Sequence, residues 1–308
     1  MGEPMDQHSV VVVVNPTARN MPKREKLREL LDPLIQEGHS LSLQVTSGPG
    51  DAIAIARDAV RDGATRIAAC GGDGTLNEVI NGVGDAGVAV GVLPAGTGNV
   101  WAKEVGIPRD IGKAARLLVE GSVRRVDLGE ANGRRFILMC GLGLDGVVTG
   151  MVKERMKRWL GSTSYIVVGL NELRRFKPLT SVFELDGEPL ECTYYLALIA
   201  NSRSYGGVID IARRAFVDDG LLDVCIYGGG SLARLARHSL RIALGTQFRA
   251  KDILYRRVRT VRLDSPGVRL QLDGDFMGES PVEIKACPRA IRMVVPGGGR
   301  SFAHPPQL

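Results

Sequence analysis

Gly71-Gly72-Asp73-Gly74-Thr75 is the part of this chain best suited to do chemistry. It follows an apolar run, Arg66-Ile67-Ala68-Ala69, of the kind that forms a buried strand. It leads into Leu76, Val79 and Ile80, which share one face of a helix. Glycines therefore stand where a strand ends and a helix begins. Glycine tolerates φ > 0 and lets a ligand come close to the backbone. The open N–H groups of the helix that follows point at that ligand, and phosphate is the usual guest. Asp73 would repel a bare phosphate, and a divalent cation between the two removes the conflict. Taken alone, the same residues also read as a tight turn with an aspartate cap.

Two further loops repeat the pattern. Leu93-Pro94-Ala95-Gly96-Thr97-Gly98-Asn99 follows the apolar residues 88–93, and Asn15-Pro16-Thr17 follows five consecutive valines at 10–14. A β-branched run without polar alternation is the mark of a parallel strand buried on both faces. Open α/β sheets bind ligands outside the carboxyl ends of their strands. Three such loops at three strand ends predict one nucleotide site.

The elements that must hold these loops alternate. Strands at 10–14, 41–45, 66–70 and 88–93 are each followed by a helical stretch, at 23–37, 51–61, 75–81 and, after Trp101 to Val105, 111–119. That alternation predicts an α/β domain with an open parallel sheet. From about residue 123 the pattern becomes one of short strands, at 135–140, 181–185, 192–199, 222–227, 260–263, 268–272, 282–284 and 291–295. Many alternate polar and apolar residues, as antiparallel strands do, and turns such as Asp186-Gly187 separate them. An antiparallel β-sandwich is the expected second domain. Two helical insertions are expected within it, at 151–177 with seven Lys/Arg and at 231–262 with nine. They read either as solvated faces or as basic segments that touch a membrane surface.

Composition bounds the function. The chain has 308 residues, 44% hydrophobic and 24% charged, which suits a two-domain globular protein. It has no apolar run of 18 residues, the N-terminus lacks the regions of a signal peptide, and the five scattered cysteines read as reduced core residues of a cytoplasmic protein. Residues 1–127 hold 16 acidic and 14 basic residues, so the surplus that makes the whole chain +6 lies in residues 128–308. A basic surplus draws a protein to nucleic acid or to an anionic membrane. With 5% aromatics and no nucleic-acid motif, no nucleic-acid partner is expected.

The ordered set of Asn15-Pro16-Thr17, Thr46 with Gly50-Asp51-Ala52, Gly71 to Glu78, Leu93 to Asn99, Asp218-Asp219-Gly220-Leu221-Leu222-Asp223-Val224 and Leu272-Asp273-Gly274-Asp275 resembles the bacterial diacylglycerol kinase and YegS-type lipid kinase family, relatives of the sphingosine kinases. The resemblance runs from residue 15 to residue 275. It implies an N-terminal domain like that of NAD kinases and phosphofructokinases at 1–127, with 289–308 returning to it, and a lipid-substrate sandwich at 128–288. It implies ATP and Mg²⁺ as cofactors. Asn15, Pro16, Thr17, Thr46, Gly71, Gly72, Asp73, Gly74, Thr75, Glu78, Gly96, Thr97 and Asn99 would cradle the nucleotide, Asp73 organising the catalytic cation. Glu78 also reads as a residue of helix packing and capping. Phe216, Asp219 and Leu221 would hold a structural Mg²⁺, though Ile211-Ala-Arg-Arg-Ala215 replaces the family's usual upstream residues. Asn201 to Gly207 would line the headgroup site.

The resemblance assigns the proton acceptor to the last carboxylate of Asp273-Gly274-Asp275, where relatives usually have glutamate. In an extended strand Asp273 and Asp275 share one face, so Asp275 is expected as the base and Asp273 as its partner, with Asp73 a rival. A hairpin turn is the plain alternative. Val100-Trp101 stands where relatives often have Asp-Phe.

The expected function is thus an ATP- and Mg²⁺-dependent lipid kinase, peripheral at an anionic membrane, with diacylglycerol the expected acceptor. A soluble kinase of the NAD kinase type and a membrane-docked nucleotide sensor without turnover are the rivals. The sequence leaves monomer and homodimer both open.

Overall fold

The computed structural model describes residues 7–144, 177–206, 209–229, 237, 241, 253–297 and 301–303. The elements run β1 (Ser9–Val14), α1 (Arg24–Gln36), β2 (Ser40–Val45), α2 (Asp51–Arg61), β3 (Arg66–Gly71), α3 (Asp73–Val83), β4 (Ala89–Pro94), α4 (Val100–Val105), α5 (Ile111–Glu120), β5 (Ser122–Ala131), β6 (Arg134–Phe136), β7 (Met139–Gly143), β8 (Leu179–Leu185), β9 (Glu188–Ala200), β10 (Ser204–Tyr205), β11 (Ile209–Asp210), β12 (Leu222–Gly228), β13 (Ile253–Val258), β14 (Thr260–Leu263), β15 (Arg269–Leu272), β16 (Asp275–Glu279) and β17 (Val282–Val295). They pack as two compact units, residues 1–127 with 288–308 and residues 128–287.

The first unit is a parallel sheet in the order β2-β1-β3-β4-β17. Val12, Val13, Ile67, Ala68, Val90 and Leu93 are fully enclosed, because a parallel strand between two helical layers meets apolar side chains on both faces. The chain leaves β1 for β2 on one side and for β3 on the other. The topological switch point, where an open α/β sheet holds its ligand, therefore lies between β1 and β3. Asn15 and Gly71 end those two strands.

The second unit is antiparallel. The first half of β9 pairs with β8, which pairs with β14, and the early residues of β17 complete that sheet. The second half of β9 lies between β7 and β12, with β15, β16 and β13 outside them. One long strand thus joins both groups into one continuous sheet, and Phe183, Tyr194, Ile199, Val224, Val261 and Leu270 fill the core.

Several expected elements differ. The strand expected over 135–140 breaks into β6 and β7. The strands expected at 282–284 and 291–295 are one strand, β17. Residues 253–258, expected within a helical insertion, form β13 instead, because Ile253 and Val258 bury into the core, while β14 coincides with the strand expected at 260–263. The helical stretches expected over 151–177 and 231–252 fall, apart from residues 177, 237 and 241, outside the described residues. The five cysteines form no disulfide. Among the described residues, no helix is long and apolar enough to cross a membrane.

Candidate active site

The three loops predicted to meet do meet, and backbone groups tie them together. The Ala95 and Gly96 N–H groups both donate to the Gly71 carbonyl, at 2.9 and 3.0 Å. Asn15 Nδ2 donates to Thr75 Oγ1 at 3.2 Å, while Asn15 Oδ1 accepts the Thr17 N–H and hydroxyl at 3.0 and 2.9 Å. Thr46 donates its N–H to the Val14 carbonyl at 2.9 Å, which brings the loop after β2 alongside. The approach is backbone to backbone. A Cβ on Gly96 would fall 2.5 Å from Gly72 Cα, closer than any real contact allows. That is the physical need for glycine at 96.

The first turn of α3 opens into this junction. Its N-cap is Gly72, which offers no side chain to the first N–H groups of the helix. Those groups carry the positive end of the helix dipole. Thr17 and Thr97 are exposed beside them, as is Pro16. Asp73 stands in the same turn. Its Oδ1 accepts the Trp101 N–H at 3.1 Å, and its Oδ2 has no hydrogen-bond partner among the described residues. A Cβ at Gly98 would come within 3.2 Å of that oxygen, so glycine keeps the space beside it open. A carboxylate oxygen left bare beside an uncapped helix end suits a divalent cation, whose ligands are hard oxygens.

Asn99 does something other than face a ligand. It adopts φ 46°, donates Nδ2 to the Gly96 carbonyl at 2.8 Å and accepts the Gly96 N–H on Oδ1 at 3.0 Å. Both ends of its amide close the loop on itself. Val100 and Trp101 are buried at the start of α4, so residue 100 belongs to the core here. Asn20, which no sequence motif marks, donates its N–H to the Ala95 carbonyl at 2.9 Å and Nδ2 to the Gly96 carbonyl at 2.8 Å. It fastens the loop after β1 to the loop after β4. Cys70 is buried beneath these loops, and burial pushes its thiol up to about 12, so it stays protonated and acts as a small apolar residue.

Glu78 is a brace. From α3 its Oε1 accepts the Gly50 N–H at 2.9 Å and its Oε2 accepts the Ala52 N–H at 3.2 Å. Asp51 gathers the Ser47 and Gly48 N–H groups at 2.7 and 3.0 Å. The amino end of α2 is therefore filled by two carboxylates of the protein itself, whereas the N-cap of α3 makes no side-chain cap. Both oxygens of Glu78 hold the loop that carries Thr46. Glu78→Ala is expected to raise the KM for nucleotide about tenfold, the usual scale of a lost cap, with kcat little changed. Glu78→Gln keeps one acceptor and should recover part of the loss. Steady-state kinetics of both variants against nucleotide concentration check this.

In the second unit the Asp273-Gly274-Asp275 geometry corrects the sequence reading. Leu272 pairs with Asp275 across a two-residue turn. Asp273 and Gly274 occupy that turn at φ 49° and 88°, the type I′ geometry that Asp-Gly favours. The two aspartates therefore do not share a strand face. Asp273 points its carboxylate at the break between β6 and β7. Its Oδ2 accepts the Ile137 N–H at 2.9 Å, and its Oδ1 accepts the Leu138 and Met139 N–H groups at 2.9 and 3.0 Å. Asn201 Nδ2 donates to the Ile137 carbonyl at 2.9 Å from the other side. Asp273 is thus a structural clasp, and protonating it would break one of three backbone bonds. Asp275 is half-buried at the start of the edge strand β16. Gly207, in the loop expected to line a headgroup site, lies outside the described residues.

The turn expected to hold a structural Mg²⁺ has other partners. Asp219 Oδ1 accepts the Leu221 N–H at 3.1 Å, and its Oδ2 is ion-paired with the Arg257 guanidinium. Phe216 is half-buried just upstream. Burial raises the Asp219 carboxyl, opposed by Arg257. Asp223, wholly buried, is pushed up to about 7 by the same loss of solvent, again opposed by Arg257. The donor set does not fit a divalent cation: Asp219 has no oxygen left that a guanidinium or an N–H does not already use.

Residues 9–131 match the family model described as the diacylglycerol kinase catalytic domain, and residues 139–295 match the YegS C-terminal NAD kinase beta sandwich-like domain. The chain is 32% identical over 289 residues to a diacylglycerol kinase of Bacillus subtilis (strain 168), covering 92% of this chain and 95% of the relative. It is 34% identical over 248 residues to a diacylglycerol kinase of Mycobacterium tuberculosis (strain ATCC 25618 / H37Rv), covering 78% of this chain and 80% of that one. A crystal structure of a diacylglycerol kinase from Bacillus anthracis str. Sterne has the same fold, with a TM-score of 0.71 at 20% identity over 94% of this chain and 97% of that chain.

Proposed function

Because the chain belongs to the diacylglycerol kinase family, we propose that it transfers the γ-phosphoryl group of ATP to a membrane-lipid hydroxyl, with diacylglycerol as acceptor and phosphatidic acid as product. The observation that carries this reading furthest is the open first turn of α3 above Gly71 and Gly72, with Asp73 fixed in it by the Trp101 N–H. Phosphoryl transfer is mostly positioning and charge stabilisation, and this turn offers both.

In this reading the α3 N–H groups, Thr75 and the exposed Thr17 and Thr97 bind the phosphates. Asp73 would hold Mg²⁺, which when bound spreads the charge of the transferring group. Asn15, Asn20, Glu78 and Asn99 keep the loops in register. The lipid hydroxyl oxygen bonds to the γ-phosphorus as the bond to the β–γ bridging oxygen breaks. ADP leaves, and the hydroxyl proton passes to Asp275. Asp273 holds the turn that presents Asp275 and takes no proton. The basic surplus of residues 128–308 supports peripheral docking on an anionic surface, where the acceptor lies.

The test gives the protein γ-labelled ATP and Mg²⁺ with two acceptors side by side: mixed phospholipid vesicles containing diacylglycerol, and NAD without vesicles. Label in the organic-soluble lipid supports the proposal. Label in NAD would replace it with the soluble-kinase reading.

A further inference from the structure

The acidic turn of the second unit carries its own cation, and we propose that Arg257 takes the place there of the divalent metal expected at Phe216, Asp219 and Leu221, so that the fold of this unit does not depend on Mg²⁺. This stands apart from the proposed reaction, since it concerns stability and not turnover.

Arg257 is placed by strand pairing. It lies on β13 directly opposite Asp223 on β12, with Nε 4.0 Å from Asp223 Oδ1. Its guanidinium reaches Asp219 Oδ2, and the other oxygen of Asp219 is closed by the Leu221 N–H within the turn. Asp223 Oδ1 also accepts the Tyr255 hydroxyl, and Arg214 lies over the Tyr255 ring at 5.7 Å. Two carboxylates, Asp219 and Asp223, thus stand among two guanidiniums, Arg257 and Arg214, and their formal charges cancel. Asp218 is part-exposed at the rim.

The chemistry favours the arginine. A guanidinium keeps its charge at any ordinary pH and presents planar donors that span two carboxylates. Held in a ladder, it loses little freedom on binding them. Mg²⁺ demands near-octahedral oxygen ligands and gives up its water reluctantly. Here it would have to displace the guanidinium from Asp219 and leave a cation beside a cation. Asp223 Oδ2 is buried without a hydrogen-bond partner among the described residues.

The test uses the full chain without nucleotide, melted in EDTA and in millimolar magnesium chloride. Wild type, Arg257→Met, Asp219→Asn and the double variant are compared. The deciding quantity is the magnesium-induced rise in melting temperature that disappears with Asp219→Asn, since a rise that survives this change comes from elsewhere in the chain. The expected result is none in wild type, a lower melting temperature for Arg257→Met in EDTA, and a rise of several degrees when magnesium is added to that variant. The double variant should lose the rise. A magnesium-dependent rise in wild type that Asp219→Asn removes would overturn the proposal. So would Arg257→Met that folds and gains nothing from magnesium. If Arg257→Met folds under neither condition, the wild-type comparison decides alone.

Discussion

Replacing Asp275 with asparagine is expected to lower phosphoryl transfer by about 10²–10⁴-fold, the usual contribution of a positioned general base, while thermal stability and ATP affinity stay near wild type. The side chain is half-buried at the beginning of an edge strand, so an isosteric amide is readily accommodated there. The amide cannot take the lipid proton. Turnover, the melting curve and ATP titration together check the expectation. Wild-type turnover in this variant would move the base role elsewhere, with Asp73 next in line.

Asp273, two residues away, is expected to fail in the opposite manner. Its carboxylate closes three backbone N–H groups at residues 137–139, in a stretch whose side chains are buried. Each buried donor left unmet costs about 1–3 kcal/mol. Alanine also tolerates the φ of 49° poorly, at about 1–2 kcal/mol. Asp273→Ala should therefore lose at least about 4 kcal/mol of stability, enough to unfold a large fraction of a marginally stable protein. Asp273→Asn keeps one acceptor and tolerates the left-handed conformation, so it should lose about half as much and retain measurable turnover. Denaturant melts of the two variants decide it. An Asp273→Ala protein as stable as wild type but inactive would return Asp273 to the chemistry.

That contrast also shows where the sequence was readable. The parallel sheet was plain because its inner strands β1, β3 and β4 are built on apolar runs, and the loops were plain because glycine and small polar residues sit at the strand ends. Helix α2 matched its expected span, Asp51–Arg61, because Gly50 ends the preceding loop and Gly63 follows. The Asp-Gly-Asp reading went wrong by assuming strand alternation through a two-residue turn. The signal was present: Asp186-Gly187 and Asn132-Gly133 make the same left-handed pairs. In each, the first side chain also reaches another segment, Asp186 accepting the Arg259 and Thr260 N–H groups and Asn132 the Glu283 N–H. Among the described residues, this unit uses one device three times.

What stayed hidden depends on contacts far apart in sequence. The break between β6 and β7 exists because a residue more than 130 positions later supplies the bonds that a ladder would have made. Local pattern carries no trace of it. Asn20 braces loops whose neighbours come from other strands, and nothing in its own surroundings announces that. Strand β13 was mistaken for helix because Arg256, Arg257 and Arg259 read as a basic helical face. Burial of Ile253 and Val258 and pairing with β12 outweigh that pattern, since local propensity yields to tertiary packing.

The most direct test of the central claim is transfer of the γ-label from ATP to diacylglycerol in mixed vesicles, wild type against Asp73→Asn, with ATP binding measured in parallel. The expected result is labelled phosphatidic acid from wild type and a loss of about a thousandfold in the variant, the scale of removing one charge-stabilising group, with the fold unchanged. ATP bound by wild type with no label in any lipid, or equal labelling by wild type and Asp73→Asn, would contradict it.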